Sequence, residues 1–316
     1  MSITRHLAEM MLVEHRRRPI EGEVLLLGRQ TVWMTIKEAE ALVERVGLKI
    51  RAESFREVSA IPNQFGRELI SDSSFFSLFS DADVLACDVS GREQADIIFD
   101  LGHQVPANML GRFDFIYNGS VLDNVFDPAA CIRNLARMLK PNGVTFGYEG
   151  ISHSSAAYLK FSPDWFFDFF AINGFADCQV YVATYEDVHL SSFDMYEWSA
   201  FTQDGLAGTP KTKTDALVAV WAENSPSATC DRIPIQGVYR DGEHEVYQAA
   251  FSRFIESPRR DHLRSHFPPV APAKARGWRA LLGRPVEDQR PDIADGYRYL
   301  GKLGLDVFLG DLDADS

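Results

Sequence analysis

The sequence has few of the residues that mark several common classes of protein. It contains four cysteines in 316 residues, and none of them forms a Cys-x-x-Cys pair. That pattern argues against a structural zinc site or a disulfide framework. No apolar run approaches the roughly 18 residues needed to cross a bilayer. The apolar patch near the N-terminus is too short and interrupted for a signal peptide. We therefore expect no metal, no membrane span and a cytoplasmic location.

Positive charge is also scarce, and this bears on the partners that the protein can bind. Lys and Arg number 32 against 45 Asp and Glu, which gives a formal net charge of −13. Binding a nucleic-acid backbone requires clustered Lys and Arg, whereas the basic clusters here are short, at Arg16–Arg18 and Arg259–Arg264. We expect no nucleic-acid partner. The absence of Gly-x-Gly-x-x-Gly after the first strand disfavours a nicotinamide or nucleotide-sugar enzyme.

Short apolar runs that end in polar residues fill the stretch from Asp83 to Phe146. Three such runs are followed directly by Asp88, Asp100 and Asn118: Val84–Cys87, Ile97–Phe99 and Phe113–Tyr117. A helix with Pro128 as its first residue and a fourth apolar run come next. Strands that finish in polar groups on one edge indicate a parallel α/β sheet with its site at the carboxyl ends of the strands.

The flanking segments extend this pattern to a whole domain. The predicted fold is α/β: a Rossmann-like, seven-stranded, mostly parallel sheet with helices on both faces, plus helical N- and C-terminal additions. The predicted divisions are an N-terminal helix over 1–22, the domain over 23–224 with an insertion at about 48–82, and a helical appendage over 225–316. Further predicted elements are strands at Glu23–Gly28, Leu48–Ala52, Gln179–Thr184 and Leu217–Ala222, and helices at Ile36–Val46 and Asp292–Leu303.

Two segments of this pattern carry a specific family resemblance. They are RFDFIYNGSVLDNVFDP at Arg112–Pro128 and NLARMLKPNG at Asn134–Gly143. Together with LLLG at Leu25–Gly28 and the acid-terminated strands, they resemble class I S-adenosylmethionine-dependent methyltransferases of the type 11 group. The resemblance covers about Val24 to Ala222. It implies methyltransferase activity with S-adenosylmethionine as the cofactor.

The resemblance also implies which strand ends hold the cofactor. Asp88, with Val89 beside it, would bind the ribose, because one carboxylate can accept a hydrogen bond from each hydroxyl of a vicinal diol. Asp100 would lie near the adenine amino group, with the backbone of Leu101 next to it. Further candidate contacts are Gly28, where the backbone approaches the ligand closely, and Asn118 and Gly119 near the methionine end. Arg29 and Gln30 are either contacts of the cofactor carboxylate or simple turn residues.

The chain departs from the family pattern at the first turn. The family has an acid and two or three glycines there, whereas Gly28 is the only glycine in GRQTVW. The distance in sequence from Gly28 to Asp88 is also long for a compact unit, which makes Glu53 an alternative ribose ligand. Asn124 occupies the position of the family's histidine.

The methyl acceptor has no motif of its own, because the cofactor supplies the reactivity and the protein mainly aligns the acceptor. His153 and Glu149, which follow or end the fourth run, are candidate general bases for a hydroxyl acceptor. The resemblance to enzymes of surface-polysaccharide pathways and the acidic charge favour a small-molecule or carbohydrate acceptor.

An inactive methyltransferase-like binding or assembly module is the alternative, favoured by the poor glycine turn and the helical C-terminal part. The terminal helices are candidates for covering the site or for a homodimer contact.

Overall fold

A nine-stranded sheet forms the centre of the computed structural model, which describes residues 2–63, 66–152, 157–188, 192–202, 205–206, 214–239, 244–267 and 297–303. The strands are β1 Ser2–Ile3, β2 Glu23–Leu27, β3 Thr31–Val32, β4 Asp83–Asp88, β5 Ile97–Ile98, β6 Phe113–Gly119, β7 Leu139–Gly150, β8 Asp177–Tyr185, β9 Phe193–Trp198, β10 Phe201–Thr202, β11 Gly205–Leu206, β12 Asp215–Glu223 and β13 Tyr297–Leu303. The helices are α1 Arg5–Arg17, α2 Ile36–Arg45, α3 Asp72–Ser77, α4 Pro128–Met138, α5 Pro163–Ile172, α6 His244–Ile255 and α7 Pro258–His266.

The strand order of the main sheet is β5-β4-β2-β6-β7-β12-β8-β9-β13. The chain runs outward from β2 to β4 and β5, then returns to the other side of β2 with β6 and β7. The order therefore reverses between β2 and β6. The four pairings among β5, β4, β2, β6 and β7 are parallel, and the four from β7 to β13 are antiparallel.

The fold is thus α/β, but two details of the prediction are wrong. The main sheet has nine strands rather than seven, and it is mixed rather than mostly parallel. The additional strands are β9 and β13, and β13 replaces most of the helix predicted at Asp292–Leu303. Leu300 and Leu303, three residues apart, face the same core because a bulge between Tyr299 and Gly301 interrupts the two-residue alternation of the strand, whereas Tyr297 packs against the other core.

Two hydrophobic cores lie on the two faces of the sheet, as a doubly covered sheet requires. Successive side chains of β2 alternate between them: Val24 and Leu26 belong to one core, and Leu25 and Leu27 to the other. The first core is covered by α1, α2 and α3, and the second by α4, α5 and α6. The prediction of helices on both faces is confirmed.

The N- and C-terminal additions contact each other and the sheet. Arg259 of α7 is 1 % exposed and forms ion pairs with Glu14 of α1, Asp177 of β8 and Glu223 of β12. Its guanidinium also lies 5.7 Å from the centre of the Trp221 ring. The three-part division of the chain stays a prediction, but these contacts join both additions to the central sheet.

The segment expected as an insertion supports the first turn of the domain. Leu48–Ala52 is not a strand, which corrects the prediction, and only Leu48 and Ile50 of this segment pack against the core. Helix α3 follows, with Ser71 as its N-cap. Within the described residues, no helix is both long enough and apolar enough to cross a bilayer.

Candidate active site

The strand order reverses between β2 and β6, and we call the region at the carboxyl ends of these two strands the β2–β6 crevice. In open α/β sheets, ligands bind in such a crevice. Gly28 ends β2 there with φ +75°, a left-handed conformation that favours glycine. Its N–H donates to the carbonyl of Cys87 at 2.6 Å, which holds the turn against the end of β4.

The side chain of Gln30 occupies this crevice. It is fully buried, and its Nε2 donates to the carbonyls of Leu27 and Gly28, each at 2.9 Å. A Cβ placed on Gly119, at the end of β6, would lie 2.0 Å from Gln30 Oε1. The carboxamide of Gln30 therefore lies directly against the backbone of Gly119. Among the described residues, Gln30 Oε1 has no hydrogen-bond partner.

Two acids hold the turn in place from outside. Asp72 of α3 accepts a hydrogen bond from the backbone N–H of Gln30 at 2.9 Å. Arg29 forms ion pairs with Asp72 at 3.4 Å and Asp96 at 2.7 Å, and it donates to the carbonyl of Gln94 at 3.2 Å. The guanidinium is thus engaged with protein groups. The predicted contact of Arg29 with a cofactor carboxylate is untested and stays a prediction.

Asp88 ends β4 next to this turn. It is half-buried, and its Oδ1 accepts hydrogen bonds from the N–H of Ser90 at 2.9 Å and from the Ser90 hydroxyl at 3.4 Å. Its Oδ2 accepts none from the described residues. Val89 is 68 % exposed beside it. Glu53, the alternative ribose ligand, is exposed. It lies two residues after Arg51, whose N–H donates to the carbonyl of Leu78, and Leu78 precedes the amino end of β4.

Asp100 lies one strand further out and has local partners. It is exposed, accepts from the N–H of Gly102 at 2.8 Å and lies 3.0 Å from His103 Nδ1. Leu101 is nearly buried, and its carbonyl accepts from Asn134 of α4 at 2.7 Å. The backbone N–H of Phe99 donates to the carbonyl of Asp88, so the two acid-bearing strand ends are adjacent.

Glu149 and Asn118 form a buried cluster on the other side of the crevice. Glu149 Oε1 accepts from Asn118 Nδ2 at 2.8 Å and from the N–H of Leu122 at 3.0 Å, and its Oε2 accepts from the N–H of Asp123 at 3.2 Å. Asn118 Oδ1 accepts from the N–H of Val121 at 3.1 Å. These bonds fix the 3₁₀ helix Leu122–Asn124 to the ends of β6 and β7.

Burial raises the pKa of Glu149 to about 8, and the nearby carboxylate of Asp123 adds to the rise. Burial also raises the pKa of Asp123. The rise favours the protonated form of Glu149. Its engaged oxygens and its complete burial fit a positioning residue, and the prediction that it acts as a general base stays a prediction. The other candidate base, His153, lies outside the described residues.

The N-terminal segment crosses the same edge of the sheet. Strand β1 pairs in parallel with β3, which directly follows Gln30. The Tyr117 hydroxyl donates to the carbonyl of Ser2 at 2.9 Å, and Ser2 Oγ lies 2.7 Å from the Tyr148 hydroxyl. Sequence reasoning missed these residues, because no local pattern shows that the first residues return to β6 and β7.

The structure thus brings most of the predicted cofactor residues to one edge. Gly28, Gln30, Asn118 and Gly119 meet at the β2–β6 crevice, and Asp88 lies beside it. Asp72 was missed as part of this site, because the sequence shows it only as one of the polar residues at the start of α3. No group of three or more potential metal ligands occurs in the described part of the chain.

A family model described as "Methyltransferase domain" matches residues 82–147. The match spans β4 to β7 and therefore includes Asp88, Asp100 and Asn118, but it excludes the turn at Gly28. It confirms the resemblance to class I methyltransferases over this part of the chain. The matched segment supplies strands β4, β5 and β6 and most of β7 of the α/β sheet.

Solved structures with related topology include several methyltransferases, whereas no curated protein matches the chain. N-methyltransferase NodS from Bradyrhizobium japonicum, in complex with S-adenosylhomocysteine, is 12% identical, with 69% of this chain and 85% of that chain covered and a TM-score of 0.31. The 1,6-didemethyltoxoflavin-N1-methyltransferase from Burkholderia thailandensis is 11% identical, with 70% and 78% covered and a TM-score of 0.33. At these values the similarities do not identify what this chain binds.

Proposed function

We propose that the protein is an S-adenosylmethionine-dependent methyltransferase that acts on a hydroxyl group of a small-molecule or carbohydrate acceptor. The observation that carries the proposal is the position of Asp88. It ends the strand next to the Gly28 turn, at the edge where an α/β sheet with this strand order binds ligands. It also lies within the segment that matches the methyltransferase domain family.

The residues at this edge fit the ribose of such a cofactor. Asp88 is half-buried and uses one carboxylate oxygen on Ser90, which leaves Oδ2 to accept hydrogen bonds from a vicinal diol. Gly28 has no side chain to obstruct the approach of a ligand to the turn. The nearby Val89 provides an exposed apolar contact for an adenine ring.

The cofactor, when bound, supplies an activated methyl group on a sulfonium. The chain then has to bind and orient the two reactants, which is the main part of catalysis for such a transfer. The bonds of Glu149 to Asn118 and to the 3₁₀ helix Leu122–Asn124 hold the ends of β6 and β7 rigid for this purpose. Removal of the acceptor proton by Glu149 or His153 remains part of the proposal.

The net charge of −13 supports an acceptor other than nucleic acid. A cytoplasmic location, a place in polysaccharide biosynthesis and a homodimer are further parts of the proposal, and each is open to direct measurement.

Titration with S-adenosylhomocysteine by calorimetry tests the proposal. Wild type should bind at one site, and Asp88→Asn should weaken binding roughly tenfold to a hundredfold, because hydrogen bonds to a charged group contribute about 1.5–3 kcal/mol. Asp83→Asn is the matched control, because Asp83 is an exposed acid at the opposite end of the same strand. Equal affinities of the two variants would contradict the role of Asp88.

A binding or assembly module without catalysis is the second candidate. The specific observation that favours it is the carboxamide of Gln30, which fills the crevice that the cofactor would enter. Absence of S-adenosylhomocysteine binding to the wild-type protein would contradict the enzyme and favour this module.

A further inference from the structure

We propose that the side chain of Gln30 is a gate at the β2–β6 crevice, and that a ligand binds there only after the carboxamide has moved out. The inference rests on the proposed function only for the choice of ligand. It concerns how the chain's own residues control access to the site, and it makes Gln30 an affinity-determining residue rather than a cofactor ligand.

The contacts of the carboxamide define the closed position. Nε2 donates to the two carbonyls at the end of β2, those of Leu27 and Gly28, at 2.9 Å each. Oε1 lies so close to Gly119 that a Cβ added there would come within 2.0 Å of it. The side chain therefore spans the crevice from the end of β2 to the end of β6.

The closed position leaves one polar atom unsatisfied. Gln30 Oε1 is buried and accepts no hydrogen bond from the described residues. A buried acceptor without a partner loses its hydration and receives nothing in return. Moving the carboxamide into solvent restores that hydrogen bond while it breaks two others. The balance between these terms is the reason that we regard Gln30 as a gate rather than a permanent part of the core.

The backbone of the turn and the side chain of Gln30 are held by separate contacts. Asp72 accepts the backbone N–H of Gln30, and Arg29 ties the turn to Asp96. In the proposed opening, the carboxamide leaves its two carbonyl partners while these backbone contacts of the turn stay in place. Opening uncovers the carbonyls of Leu27 and Gly28, two acceptors that converge on one nitrogen and suit the ammonium group of an amino-acid ligand.

Calorimetry with S-adenosylhomocysteine as the probe tests the gate in Gln30→Ala. The variant removes the bonds that a ligand must otherwise break, so we expect binding at least about tenfold tighter than wild type. Gln179→Ala is the matched control: Gln179 is also a buried glutamine whose Nε2 bonds a carbonyl, that of Phe254. Its affinity should equal that of wild type. Gln30→Ser serves as a second variant if Gln30→Ala does not fold.

Equal or weaker binding by a folded Gln30→Ala protein would overturn the gate, and weaker binding would show that Gln30 is a ligand. Tighter binding by the variant alone would support the gate even if wild type does not bind measurably.

If no protein binds, the proposed function fails. The closed position, on which the gate depends, is then tested without ligand by Gly119→Ala. This change should lower the urea midpoint more in wild type than in Gln30→Ala, because the added methyl group meets the carboxamide only in wild type. Equal losses would refute the closed position.

Discussion

The pH dependence of stability provides a sharp test of the buried cluster at Glu149. Glu149 is fully buried, and its pKa is raised from 4.5 to about 8 by burial and by the neighbouring Asp123. Between these two values the folded protein retains a proton that the unfolded chain releases. The free energy of unfolding contributed by this group is therefore fully present below pH 4.5 and is lost as the pH rises through 8. Replacing Glu149 by glutamine removes the titration.

The expected magnitude follows from the width of this window. One bound proton changes the free energy of unfolding by about 1.36 kcal/mol per pH unit where the two states differ fully. Across the window from 4.5 to about 8, we expect a loss of about 3–4 kcal/mol in wild type that is absent in Glu149→Gln. Comparing the two profiles cancels groups that do not contact Glu149, such as His6, whose pKa burial lowers to about 3.

Urea unfolding followed by circular dichroism at pH 5, 6, 7 and 8 provides the assay. Glu53→Gln makes the same chemical change at an exposed position and should keep the wild-type profile. Asp123→Asn removes the nearby charge and should make the decline smaller and end it at a lower pH, because that charge helps to raise the pKa of Glu149 in the folded protein. Parallel profiles for wild type and Glu149→Gln would refute the assignment of the raised pKa to this carboxyl group.

Two further predictions concern the stability of the fold and use urea unfolding at pH 7. Arg259→Met should lower the free energy of unfolding by about 3–5 kcal/mol, because it removes the buried cation that the buried carboxylates of Glu14 and Asp177 share. Arg56→Met, at an exposed ion pair, should cost less than about 1 kcal/mol, and a similar loss in both would contradict the importance of burial. Gly28→Ala should cost about 1–2 kcal/mol, because alanine is strained at φ +75°; an unchanged midpoint would show that the turn relaxes.

The sequence predicted the central part of the fold because apolar runs between polar turns are a local signal. Eight strands were predicted from Glu23–Gly28 to Leu217–Ala222, and seven of them exist in the main sheet. The exception is Leu48–Ala52. The edge strand β13 was missed because the bulge next to Gly301 gives Leu300 and Leu303 a spacing that is typical of a helix. A local pattern cannot distinguish these alternatives without the partner strand β9.

The candidate site was predictable to the extent that it depends on strand ends. Asp88 and Asn118 follow apolar runs, and parallel strands bring such residues to a common edge. The inward position of Gln30 was not predictable, because it depends on Gly119 and on Asp72, which is 42 residues away in sequence. Such contacts are properties of the assembled sheet.

Hydrogen exchange with and without S-adenosylhomocysteine tests most directly whether the ligand binds at the β2–β6 crevice. We predict slower amide exchange in the segments that contain Gly28, Asp88 and Asn118 when the ligand is present. A cavity of about 170 Å³ at the opposite edge of the sheet, lined in part by Asp114 and Trp221, provides an internal comparison. Protection confined to that cavity, or no protection at the three strand ends, would contradict the account.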